Sequence, residues 1–478
     1  MSLPTAGLPT DQVLDSLRAL RAGDLPTHGG RTLAYVYDSG LAGLDSLAAE
    51  AHALASSANG LDPTAFPSLL RMENDIVAAA ARLLGGGPST VGSVTSGGTE
   101  SCMLAVHAAR WSRPDLERPR IVVPSTAHAA FHKAGHYFDV EVATVPVSPS
   151  FAADPVAMAE AIDDRTVLVV ASAPSYAHGV IDPVAEVAAA AAERGVRCHV
   201  DACIGGWVLP YFRALGVPLP DFDLSVPGVT SLSVDLHKYA YCPKGTSVLL
   251  HADASLRRPQ FFASAAWPGY TMLNSTLQST RSGGPLAAAW AVLNHIGDAG
   301  YRELASRVLA AVRTVRSGLE AMEGLEIQGD PRSTLLSVAA TSADFDVFTV
   351  ADEMTELGWY LQPQFGFESS PPNLHLTVTA ANHGAEPLLL ADLASAVAAA
   401  KRRGPVAVAP EMTSTIAALN PADLTPENFA ALIAMAGLTE VAAPKRMAEI
   451  NTMLAAAPPP LRERLLVEFL SALYTPTR

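Results

Sequence analysis

Ser231-Leu-Ser-Val-Asp235-Leu-His237-Lys238-Tyr239 reads as a short apolar strand that ends in a carboxylate, an imidazole and an amine. A lysine at a strand end can form an imine with an aldehyde, although most lysines are solvated surface groups. Position decides between these readings, because in an open α/β sheet the C-terminal strand ends face the ligand crevice. Upstream, Val196-Arg-Cys-His-Val-Asp201-Ala is a second apolar strand ending in an acid. A carboxylate there can keep a heteroaromatic nitrogen protonated, or simply form a turn. Further upstream, Thr95-Ser96-Gly97-Gly98-Thr99-Glu100-Ser101 precedes an apolar helix. Glycines let backbone N–H groups approach an anion, and the helix N-terminus adds partial positive charge, so a phosphate fits there. The same residues also serve as an ordinary capped turn.

Working outward, Leu69, Met72, Ile76, Val77, Ala80 and Leu83 recur at helical spacing, and Gly85-Gly86-Gly87 ends that helix. Arg120–Pro124, Val140–Val147, Thr166–Ala171, Val196–Val200, Ser231–Val234 and Thr246–Leu250 are the expected strands. Asp182-Pro183 reads as a cap with proline at the first position of a helix over Val184–Arg194. Strands interleaved with helices predict an α/β fold with a mainly parallel sheet covered on both faces. After Ser282-Gly283-Gly284 a helical stretch leads through Trp290 to about Ala321 and into a smaller α+β unit, with strands at Thr334–Ala339 and Leu374–Val378. Gly404–Pro410 breaks the pattern, and helices separated by Pro-rich turns follow. The expected organisation is an N-terminal segment (1–60), a large domain (61–305), a small domain (306–405) and a helical extension (406–478). The long Pro259–Gly284 loop is the expected lid, from its length and its Gly and Ser content.

Composition narrows the function. The 478 residues include 32 Lys and Arg against 47 Asp and Glu, a net charge of −15. That balance argues against nucleic acid. No apolar run reaches the roughly 18 residues a membrane span needs, and the start lacks a signal-peptide pattern. The expectation is a soluble, cytoplasmic protein. The four cysteines form no C-x-x-C pair and read as reduced, mostly buried thiols. His128, His132 and His136 fall at i, i+4 and i+8. With no acidic or cysteine partner at matching spacing, no metal is assigned to them.

The three motifs in this order resemble the group II pyridoxal-phosphate decarboxylases of fold type I, and within them the sphingosine-1-phosphate lyase branch. The stretches that carry the resemblance are Phe66-Pro-Ser-Leu-Leu-Arg-Met-Glu73, Gly92–Ser101, Ser125-Thr-Ala-His128-Ala-Ala-Phe131, His178-Gly179, Asp182-Pro183, His199-Val-Asp201-Ala-Cys-Ile-Gly-Gly206, Asp235–Tyr239 and Pro243-Lys244-Gly-Thr-Ser247. Met447–Leu454 and Leu461–Tyr474 are also similar. The resemblance implies pyridoxal 5'-phosphate as cofactor. It assigns Lys238 to the imine with the cofactor aldehyde, Asp201 to the pyridine nitrogen, His128 to stacking on the ring, and Gly98, Thr99 and His237 to the phosphate. It also implies a homodimer with shared active sites, in which a family Gly-Ser-Arg stretch reaches the partner's phosphate. Here that stretch is Ser279-Thr280-Arg281, so Ser279 and Thr280 join the cofactor candidates.

For the substrate, Tyr37 and Lys244 match a family tyrosine and lysine at a substrate-phosphate site. A family histidine is replaced by Asp62, within Asn59-Gly-Leu-Asp62-Pro63. An aspartate beside a phosphate is repulsive, on the order of several kcal/mol at ~4 Å and an effective dielectric of ~20. Either Asp62 points away or the substrate head differs. Tyr35 stands where the family has a small residue and narrows the mouth. Tyr270, in Trp267-Pro-Gly-Tyr270, is an acid/base or packing candidate. The implied activity is cleavage of a Cα bond of a small amine, foremost retro-aldol cleavage of a sphingoid base phosphate to a fatty aldehyde and phosphoethanolamine. The general base would be a lysine or tyrosine. The alternatives are an amino-acid decarboxylase and a non-catalytic scaffold of the same fold.

Overall fold

The computed structural model describes residues 3–407, 419–421, 424–425, 428–429 and 446–476. The expected break over Gly404–Pro410 and the expected helices beyond it therefore lie partly outside the described residues. Seven strands form the main sheet: β1 (Val91–Thr95), β2 (Arg120–Pro124), β3 (Glu141–Val145), β4 (Thr166–Ser172), β5 (Arg197–Asp201), β6 (Val229–Asp235) and β7 (Ser247–His251). Their order is β1-β7-β6-β5-β4-β2-β3. β3, β2, β4, β5 and β6 run parallel. β7 is antiparallel to both β6 and β1. Every residue of β4 is buried, which is why it reads as an unbroken apolar run. Val169, Val170, Val200, Leu232 and Val234 lose all solvent contact, and each such side chain contributes about 1.5–3 kcal/mol of burial. The predicted fold class therefore stands.

The sequence reading missed β1, which is short and holds a glycine and two hydroxyl residues. Asp182 also behaves differently from the expectation. It does not cap the helix Val184–Glu193, whose N-terminus has no side-chain hydrogen bond. Its buried carboxylate instead accepts N–H bonds from Ala153 (2.8 Å) and Ser172 (2.7 Å), tying the end of β4 to the neighbouring loop.

The Pro259–Gly284 stretch carries a hairpin of β8 (Phe262–Ser264) and β9 (Met272–Asn274). The helix Gly284–Glu320, interrupted at Gly297, then leads to a four-stranded antiparallel sheet. It contains β10 (Leu325–Ile327), β11 (Leu335–Ala340), β12 (Gln362–Gln364) and β13 (Asn373–Thr377), ordered β10-β11-β13-β12. β10 and β12 are three-residue strands that periodicity could not reveal. The N-terminal segment pairs with the small domain through Leu33. Leu33 N–H bonds Tyr360 O at 2.8 Å, and Leu33 O accepts from Thr377 N at 2.7 Å. The segment is thus sewn onto the small sheet and crosses toward the ends of the large one. Asp352, on the helix Val347–Glu356, accepts from Met447 N (2.8 Å) and Ala448 N (3.0 Å), capping the C-terminal helix Ala448–Ala456. No helix among the described residues is long and apolar enough to cross a membrane.

Candidate active site

β5 and β6 end side by side, with Asp201 paired to Ser233 across them. This places Asp201, Asp235, His237 and Lys238 at one end of the sheet. Lys238 Nζ lies 3.1 Å from Asp235 Oδ2. Burial pushes the Lys238 ammonium down, but the nearby Asp235, Tyr37, Cys203 and Asp201 outweigh it, and the net shift is upward. Burial opposes ionisation of Asp235, yet Lys238 and His237 hold its carboxyl below the ordinary value. Asp235 is therefore the carboxylate that keeps the Lys238 proton. Within the strand-end motif Asp235 carries no role by its residue type alone. The signal was its i, i+3 spacing from the lysine.

His237 Nδ1 is 3.0 Å from Thr246 O, and its Nε2 lies 3.6 Å from Asp235. Asp201 is buried and accepts from Cys203 N at 3.1 Å. The thiols of Cys102 and Cys203 crowd its carboxylate, the three ligand atoms lying within 4.8 Å of one another. All four cysteines are buried.

Opposite Lys238, the helix Gly98–Trp111 begins at the end of β1. Glu100 folds back to accept from Ser96 N (2.6 Å) and also from Leu277 N (2.9 Å). One carboxylate thus holds both the glycine loop and the Ser275–Arg281 segment. Ser279 and Thr280 line a cavity of about 570 Å³ with Gly60, Ser96 and Thr246. Arg281 bonds Val94 O (3.0 Å) and Glu73 (3.4 Å), so its guanidinium is engaged within its own chain.

His128 is exposed, and its Nδ1 accepts from Ala130 N at 3.1 Å. It precedes the helix Ala130–Phe138, so His128, His132 and His136 do not share one helical face. Asp62 is exposed and turned onto its own loop, accepting from Thr64 N (2.8 Å), Thr64 Oγ1 (2.6 Å) and Ala65 N (3.3 Å). These bonds, led by the Thr64 hydroxyl, hold its carboxyl below the ordinary value. Tyr270 is exposed in the β8–β9 hairpin, edge-on to Trp267 at 5.3 Å.

The N-terminal segment brings Tyr37 and Lys244 together. Lys244 Nζ lies 5.2 Å over the Tyr37 ring, and Tyr37 packs edge-on to Tyr239 at 5.2 Å. Burial, reinforced by the Lys238 charge and opposed by Asp235, pushes Lys244 down to about 8, although its side chain still reaches solvent. Burial raises the Tyr37 phenol, against the pull of Lys238. Tyr176 stands near the same group, its hydroxyl bonding Gln362 Oε1 at 2.5 Å and its ring stacked on His375 at 4.3 Å. Tyr176, Tyr360 and Gln362 escaped the sequence reading. They come from distant segments, and no local motif marks them.

Residues 27–339 match the family model described as "Pyridoxal-dependent decarboxylase conserved domain". The chain belongs to this family. Residues 410–472 match a second model, "Pyridoxal-dependent enzyme, C-terminal putative HTH domain". The chain is 38% identical over 398 residues to a sphingosine-1-phosphate lyase of Dictyostelium discoideum, spanning 83% of this chain and 74% of that one. A solved sphingosine-1-phosphate lyase from Burkholderia pseudomallei superposes with a TM-score of 0.79 at 35% identity, covering 84% and 94% of the two chains. A Lactobacillus brevis glutamate decarboxylase, at 20% identity and TM-score 0.73 over 86% and 97% of the chains, shares the fold.

The residues fit the family's cofactor, pyridoxal phosphate. A Cβ on Gly98 would lie 2.7 Å from Asp235 Oδ2 and 2.8 Å from Cys203 Sγ, so only glycine permits this cradle. Asp235 Oδ1 is buried without a protein partner. A helix N-terminus, an amine and two buried acids meet at this end of the sheet.

Proposed function

We propose that the protein is a lyase that cleaves the Cα–Cβ bond of a phosphorylated sphingoid base in a retro-aldol step, releasing a fatty aldehyde and phosphoethanolamine. The observation that carries this reading is the placement of Lys244 and Tyr37 beside Lys238. An amine that accepts the cofactor and an amine suited to an anionic headgroup open on the same mouth. The likeness to two sphingosine-1-phosphate lyases supports it. The turned-in Asp62 removes an objection, since its charge is spent on its own loop and not on the headgroup site.

In this reading Lys238 holds the cofactor aldehyde, Asp201 faces the pyridine nitrogen, and His128 covers the ring. Gly98, Thr99 and His237 hold the phosphate, joined across a homodimer by Ser279 and Thr280. Bound there, the cofactor supplies the electron sink for the bond broken at Cα. Asp235 keeps a proton on Lys238 Nζ in the resting site. Lys244 Nζ, balanced near pH 8, binds the headgroup as a cation and orients the hydroxyl-bearing carbon away from it. Tyr37, Tyr239 and Tyr176 wall the mouth and exclude water around Lys238. The protein works in the cytoplasm, with residues 61–305 as its cofactor-binding large domain and 306–405 as its small domain.

The test is a paired assay. The holoenzyme should release aldehyde from a sphingoid base phosphate and no carbon dioxide from a panel of amino acids. Carbon dioxide release without aldehyde would replace this reading with an amino-acid decarboxylase. Inactivity on both with cofactor bound would leave the scaffold reading.

A further inference from the structure

Three features meet at the mouth. The first is Lys244. Among the described residues no carboxylate lies within ion-pair distance of its Nζ. Its contacts are the Tyr35 carbonyl at 2.9 Å and the face of Tyr37. An ammonium held by a neutral carbonyl and an aromatic face is short of a counter-ion.

The second is the backbone at Tyr35. Its φ is +62°, a region that bulky residues avoid. Val36 N bonds Ala34 O at 2.7 Å, so Tyr35 is the centre of a tight γ-turn. Such a conformation persists where the surroundings fix it. The flanking backbone does so. Leu33 is bonded on one side to Tyr360 and on the other to Thr377. The turn aims the Tyr35 carbonyl at Lys244 and leaves Tyr35 55% exposed.

The third is the partner ring. Tyr35 and Tyr360 lie 5.7 Å apart at a 36° tilt, and their hydroxyls are 3.4 Å apart. That is long for a bond between hydroxyls, which settle near 2.7–2.8 Å. Both phenols retain donor capacity. Burial, and then Tyr35, raise the Tyr360 phenol, so it keeps its proton at neutral pH.

We propose that Tyr35 and Tyr360 form a bar across the mouth whose two hydroxyls donate to the anionic headgroup of the substrate while Lys244 supplies the charge. They are specificity-determining residues for a phosphomonoester. This rests on the reading of the site as acting on a phosphorylated amine, and it assigns that selectivity to Tyr35, which the sequence marks only as narrowing the mouth, and to Tyr360, which no local motif picks out. The bar sits on the N-terminal segment and the small sheet, apart from the cofactor cradle, so it acts on substrate binding and leaves cofactor capture alone.

The experiment compares holoenzyme with its Tyr35→Phe and Tyr360→Phe variants, each of which removes one hydroxyl and keeps the ring. A hydrogen bond to a charged group is worth about tenfold or more in affinity. Each variant should raise KM for the sphingoid base phosphate about tenfold, with the change falling on KM more than on kcat and with unaltered visible absorption of the bound cofactor. Calorimetric binding of phosphoethanolamine, which needs no turnover, should weaken by a similar factor. If wild type releases no aldehyde but binds phosphoethanolamine through these hydroxyls, the proposed reaction fails and the bar stands. Unchanged phosphoethanolamine affinity in both variants overturns the bar, whatever the activity.

Discussion

Gly98→Ala tests the cradle by adding one methyl group. Its Cβ would sit 2.7 and 2.8 Å from the two Asp235 oxygens and 2.8 Å from Cys203 Sγ. Ordinary contact begins near 3.4 Å, so Asp235 or the helix must retreat by about 0.7 Å. Overpacking of this size costs about 1–3 kcal/mol. Alanine returns up to about 1 kcal/mol, because it is the better helix former. The fold should therefore lose up to about 3 kcal/mol. The cofactor feels the shift as well. The displaced Asp235 is the partner of Lys238 Nζ at 3.1 Å, and the helix N-terminus moves away from the phosphate. We expect cofactor affinity to fall 10- to 100-fold, about 1.4–2.8 kcal/mol. The assay titrates cofactor-free protein with pyridoxal phosphate, following visible absorption, alongside a denaturant midpoint on the same sample. A variant that binds as tightly as wild type would refute the assignment of Gly98 to the phosphate cradle.

Lys238→Ala should bind pyridoxal phosphate without the visible absorption of wild type. Borohydride treatment of wild type should fix the cofactor on Lys238, and a label on another lysine would reject the assignment. Lys244 contributes a pH limb. Its free amine has been pushed down to about 8, so it is charged below that pH and loses its charge as pH rises through it. For a phosphorylated substrate kcat/KM should fall above about pH 8, and Lys244→Arg should move this limb upward; an unchanged limb in the variant would remove Lys244 from headgroup binding. Asp352→Ala removes the acceptor for Met447 and Ala448 N–H groups. Loss of such a cap costs about 1–2 kcal/mol, and hydrogen exchange should quicken over residues 446–456 while the central strands β4–β6 stay protected.

What the sequence revealed follows a physical line. Strands buried on both faces declare themselves, so Thr166–Ser172 and Val229–Asp235 lie within a residue or two of their expected positions. The helix Pro67–Leu83 also announces itself, by a one-sided apolar pattern. The placement of Lys238 and Asp201 at strand ends was legible because each sits in a local motif after an apolar run. Asp182 was misread because a carboxylate before a proline looks like a cap until its two N–H donors, from segments 10 and 29 residues away, are seen. Asp235 was visible but mute, since its role depends on a 3.1 Å contact and on Gly98 pressing from another segment. Tyr176, Gln362 and Tyr360 belong to the mouth through tertiary contact alone, and β10 and β12 are too short to show a period.

Glu100 gives the cradle a mechanical consequence. One oxygen fixes Ser96 in the glycine loop, and the other fixes Leu277, two residues before Ser279. A single side chain therefore makes two distant pieces of chain settle as one. Whatever stiffens the glycine loop also stiffens the Ser275–Arg281 stretch, so in the proposed homodimer cofactor capture and subunit pairing should strengthen each other by linkage.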